Sequence, residues 1–198
     1  MLVFADRLRA AGHSVHVPDL YEGRTFGDLA TGVSHAEDVG FDTVFERGLD
    51  SAAGLPAQPV FIGFSLGVLP AQRLAQTRPG ATGAVLISGC VPADTFGVGW
   101  PDTVAVQVHG MDADEVFIGD GDLDAARALV SSARHAQLFL YRGGQHLFAD
   151  DSLPSMTRRR PGAWSHASST SSHTQGDRPR FTGERRDATD SAVDRRRP

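Results

Sequence analysis

The sequence predicts an α/β fold, a mostly parallel sheet with helices on both faces, and three observations predict it. Predominantly apolar runs at residues 60–62, 84–88 and 104–108 have the character of short strands buried on both sides. Between them lie stretches whose apolar residues repeat at helical spacing. Glycine and proline clusters punctuate the joints. Strands alternating with helices pair in parallel, because each helix carries the chain back along the sheet.

The elements follow in order. Val3, Phe4, Leu8 and Ala11 share one helical face, and Gly12 follows as a stop signal. Residues 14–17 read as a short strand ending in Pro18-Asp19. A helix is expected over 41–53, then a Gly/Pro loop over 54–59 and the strand at 60–62. The next helix starts after Gly67 and runs to about Gln76, stopped by Pro79-Gly80. Strands at 84–88 and 104–108, a helix over 123–133 and a strand at 137–141 complete the series. The 198 residues suffice for one domain, 1–154, followed by a tail, 155–198.

Composition narrows the function. The chain carries 19 Arg and no Lys, which excludes a Schiff-base lysine, a P-loop lysine or a lysine base. Residues 1–157 hold 9 Arg and 19 acids, while 158–198 hold 10 Arg and 5 acids. The tail has no Leu or Ile and is rich in Arg, Ser and Thr, so it is expected to be disordered; its abrupt onset also fits a reading-frame change. Its basic runs lack interleaved aromatics, and no nucleic-acid partner is expected. The single cysteine, Cys90, excludes a disulfide framework and a multi-cysteine metal site. It reads as a small buried residue. His13, His16 and His135 read as solvated. No apolar run approaches a membrane span, and the N-terminus lacks a basic region before its apolar residues, so a cytoplasmic protein without membrane partners is expected.

The chemistry concentrates in Val60-Phe61-Ile62-Gly63-Phe64-Ser65-Leu66-Gly67, a G-x-S-x-G motif between an apolar strand and a helix. A nucleophilic serine there sits on a turn too tight for neighbouring side chains, hence the two glycines. A helix N-terminus behind it favours developing negative charge. The plainer alternatives are an ordinary N-cap serine or a phosphate-binding loop. Partners occur in the chain order the motif requires. The strand at 104–108 runs into His109-Gly110-Met111-Asp112-Ala113-Asp114, and the last strand into Arg142-Gly143-Gly144-Gln145-His146. Either Asp112 or Asp114 could serve His146.

Together, Pro18-Asp19-Leu20-Tyr21, the serine turn, the aspartate loop and His146-Leu147-Phe148 are similar to the dienelactone hydrolase family of the α/β-hydrolase superfamily, over residues 1–154. The resemblance implies hydrolysis of a small-molecule carboxylic ester or lactone through an acyl-enzyme, with no metal or organic cofactor. By the same resemblance Asp114 orients His146, the Leu66 N–H belongs to the oxyanion hole, and Tyr21 and Arg24 bind substrate, with Trp100 near the pocket mouth. The chain departs from the family in three ways. It has Ser65 where the family usually has cysteine, and Leu147-Phe148-Ala149-Asp150 where the family has a basic side chain. It also starts at the helix that normally follows a central strand. Two strands, ending at Asp19 and Ser65, are then expected to face each other across a gap of about 10 Å. An inactive fragment of a hydrolase is therefore the alternative function. A less favoured one is a D-x-D phosphatase, from Asp112-Ala113-Asp114-Glu115-Val116; a metal site from His109, Asp112 and Asp114 is chemically possible. Oligomeric state is not legible.

Overall fold

Four apolar segments pair side by side and all in parallel in the computed structural model, which describes residues 2–150. The strands are β1 (Val60–Phe64), β2 (Gly83–Ile87), β3 (Ala105–Met111) and β4 (Ala136–Tyr141), in the spatial order β1-β2-β3-β4. The helices are α1 (Leu2–Ala10), α2 (Leu29–Val39), α3 (Phe41–Asp50), α4 (Val68–Thr77), α5 (Glu115–Gly119) and α6 (Asp122–Ser132). The α/β expectation holds at this level. The expected tail, 155–198, lies outside the described residues.

Register decides which face is which. Phe61 pairs with Ala84 and Ala84 with Val106; Gly63 pairs with Leu86 and Leu86 with Val108. Paired residues point to the same side, so these form one face of the sheet. That face packs against Val68, Ala71 and Ala75 of α4 and Leu123, Ala126 and Leu129 of α6. The opposite face is covered differently. Phe64, one residue out of phase with Gly63, meets Phe4 of α1 edge-on at 5.3 Å. Farther along it, His109 stacks on Phe139 at 4.8 Å.

The structure departs from the expectations in two respects. Residues 14–17 form no strand. A strand exists only through a partner, and here the Val15 carbonyl accepts instead from the Arg9 guanidinium, at 3.0 Å. Among the described residues, no strand pairs with the outer edge of β1. Two helices escaped the sequence reading. In α2, the Asp28 side chain caps the Thr31 N–H, but Thr31, Gly32, Val33 and Ser34 weaken its helical signature. With five residues, α5 is too short to show a period.

Leu86 is fully buried at the centre of this packing. Leu86→Ala should destabilise the domain by about 2–5 kcal/mol in urea unfolding, from lost transfer energy and the cavity left behind. Leu2→Ala, at a position 68% exposed, should change stability by less than about 0.5 kcal/mol. Equal effects would disprove the core assignment.

Candidate active site

The serine turn is built by steric exclusion. After β1, Ser65 takes φ +49°, a left-handed conformation that L side chains adopt at a cost, and Ser65–Gly67 form a short 3-10 turn into α4. A Cβ on Gly63 would come within 2.5 Å of the Gly67 carbonyl oxygen and 2.6 Å of the Val68 Cα. Only glycine fits there, because the returning chain passes directly over it. Gly67 is different, and here the expectation fails: its φ is −66°, and a Cβ would meet nothing within 4 Å. Gly67 already lies in helical geometry and needs no glycine.

Strands β3 and β4 deliver an acid and a base to the same edge of the sheet. Beyond β3, Asp114 caps α5, its Oδ1 accepting from the N–H groups of Val116 at 3.1 Å and Phe117 at 3.3 Å. Its Oδ2 lies 2.8 Å from His146 Nδ1, and His146 Nε2 lies 2.8 Å from Ser65 Oγ. Asp114 is 1% exposed and His146 9%. The two contacts assign the tautomer: Nδ1–H donates to the carboxylate, leaving Nε2 to accept from the serine hydroxyl. Asp112 has another partner. Its Oδ1 accepts the Gly143 N–H at 3.0 Å, while the Asp112 N–H donates to the Tyr141 carbonyl at 2.9 Å. Of the two candidate acids, Asp114 faces the imidazole and Asp112 ties down the loop that carries it.

Other residues singled out from the sequence fall elsewhere. Leu66 follows the serine within the 3-10 turn, among the N–H groups that a helix start leaves without an intrahelical acceptor. Tyr21 packs edge-on against Phe26 and His35 at 5.8 and 5.4 Å. Arg24 is exposed, its N–H donating to the Tyr21 carbonyl. Neither makes a hydrogen bond or ring contact to Ser65, Asp114 or His146. Trp100 lines a cleft of about 390 Å³ with Pro92, Ala128 and Leu129, and none of the three site residues borders it. His109, Asp112 and Asp114 have separate partners, and among the described residues no three His, Cys, Asp or Glu side chains are grouped to hold a metal ion.

Burial tunes the surrounding titrations. Cys90 is pushed up to about 12 by burial and then by the charge of Asp122, so its thiol stays protonated at neutral pH. Asp122 itself is raised to about 6, chiefly by burial and next by Asp120, although its carboxylate accepts the Cys90 N–H. His109, buried and 2.9 Å from the Tyr141 hydroxyl, is lowered by burial to about 4.

No protein-family model matches the chain, and neither does any curated protein. No helix among the described residues is long and apolar enough to cross a membrane.

Two predictions follow from this geometry. Gly63→Ala should cost about 1–3 kcal/mol by forcing the turn apart, whereas Gly67→Ala should be neutral or stabilising by about 0.4–1 kcal/mol. Comparable losses in thermal melts would contradict the steric account. The second concerns pH. Between about pH 4 and 6 the native state holds a proton on Asp122 that the unfolded chain has released, so this group's contribution to stability falls as pH rises. His109 acts oppositely, its contribution rising between about 4 and 6.5. Asp122→Asn keeps an acceptor for Cys90 but removes the falling contribution. The variant should therefore gain stability over wild type from pH 4 to pH 7, and a constant difference in Tm across that range would refute the assignment.

Proposed function

We propose that the chain is a serine hydrolase of carboxylic esters or lactones, with the α/β-hydrolase arrangement of the dienelactone hydrolases it resembles. One observation carries the reading: Ser65 Oγ, His146 and Asp114 are linked through two 2.8 Å contacts at a strained turn following a parallel strand. That combination supplies what acyl transfer requires. Ser65 Oγ attacks the substrate carbonyl carbon while its proton passes to His146 Nε2, forming an imidazolium stabilised by Asp114. The Leu66 N–H, in the 3-10 turn leading into α4, serves in this reading to stabilise the oxyanion. Collapse breaks the bond to the leaving alkoxide, which takes the proton from Nε2. Water, deprotonated by the same nitrogen, then cleaves the acyl-enzyme to release the acid and restore Ser65. A lactone follows the same path, its alkoxide remaining attached to the acyl group.

The test uses the full chain with a short activated ester. Ser65→Ala and His146→Ala should each lower kcat/KM by roughly 10³-fold or more, and the double variant should be no worse than either, because the two groups act as a unit. Asp114→Asn should cost on the order of 10⁴ by favouring the wrong tautomer. Asp112→Asn retains an oxygen for Gly143 and should stay within about 3-fold. Hydrolysis that survives Ser65→Ala unchanged would overturn the reading.

A further inference from the structure

The strand order poses a problem that the loop after β4 must solve. Ser65 follows β1, whereas His146 follows β4, three strands away. At the usual strand spacing that is roughly 14 Å, so the loop must turn back across the ends of β3 and β2. The Asp112 side chain fixes it at the β3 position, by way of Gly143. At the β2 position it is met by Ser88.

Ser88 directly follows β2 and is 2% exposed, with φ +55°. Its N–H donates to the His109 carbonyl at 2.8 Å, holding it to β3, and its hydroxyl donates to the carbonyl of His146. Gly89, the next residue, abuts the nucleophile's turn: a Cβ there would lie 3.3 Å from the Ser65 carbonyl oxygen and 3.1 Å from Val68 Cγ2. Ser88 thus bonds the histidine's backbone, while Gly89 beside it leaves little room next to the serine's. Glycine would adopt φ +55° without strain. What serine adds at this position is the hydroxyl.

We propose that Ser88 is a positioning residue, whose hydroxyl sets the distance between His146 and Ser65 by holding the His146 backbone at the end of β2. Its catalytic consequence rests on the ester-hydrolase reading; its effect on the imidazole does not. Misplacing a catalytic group by about 1 Å costs on the order of 10²-fold in rate. Losing one of two loop anchors should displace it less.

The experiment compares wild type, Ser88→Gly and Ser88→Ala as full chains. Glycine removes both the strain and the hydroxyl, while alanine removes the hydroxyl alone. Both should lower kcat on the activated ester by roughly 10–100-fold with KM little changed, the glycine variant melting higher than the alanine variant because it relieves the positive φ. Ser88→Gly with wild-type kcat would overturn the proposal, leaving Ser88 a merely structural residue. A second measurement does not depend on turnover. The ring-nitrogen NMR signals of His146 report its contacts with Ser65 and Asp114. They should move in both variants, and unchanged signals would also overturn the proposal. Wild-type hydrolysis that does not depend on Ser65, combined with moved His146 signals, would sink the function and leave the positioning role standing.

Discussion

The carboxylate of Asp114 is the constraint on which the rest depends. A buried charge is costly unless every lone pair finds a donor, and this one is 1% exposed. One oxygen is satisfied by the first N–H groups of α5 and the other by His146. The same group therefore starts a helix, fixes an imidazole and closes the sheet edge between β3 and the loop after β4. Because the bonds come from two elements, α5 and the loop after β4, neither can shift without uncovering the charge. Electrostatic necessity thus holds Asp114, the start of α5 and His146 in register.

Much of this was legible in the sequence because local signals and the global pattern agree. The runs at 60–62, 84–88 and 104–108 are predominantly apolar, as a parallel sheet covered on both faces favours. Gly63 and Ser65 stood out because a strained turn leaves few residue choices. Legibility ended where a role depends on distant partners. Residues 14–17 carry the composition of a strand, but composition cannot report whether a ladder forms. Asp112 and Asp114, two residues apart, are alike in sequence; only the path of the 142–146 segment distinguishes the anchor from the imidazole's partner. Ser88 gave no signal, since a serine after a strand is ordinary until its φ and the carbonyl above it are known.

The sheet also explains why the site is assembled from short segments. Consecutive parallel strands release the chain at the same edge, so the segments that follow β1, β2, β3 and β4 all begin there. The first supplies the serine, the second a spacer and the third the acid. The fourth must reach back over its neighbours, and it does so with Gly143 and Gly144, whose small size lets it lie close to Ala113 and Met111.

Cys90 has a practical meaning of another kind. It is the chain's sole sulfhydryl, shielded from solvent and held in its unreactive protonated form. Maleimides and iodoacetamides attack thiolates. The folded protein is consequently a silent background for such reagents. A cysteine introduced at any exposed position would carry a fluorophore or spin label alone, without first deleting the native one.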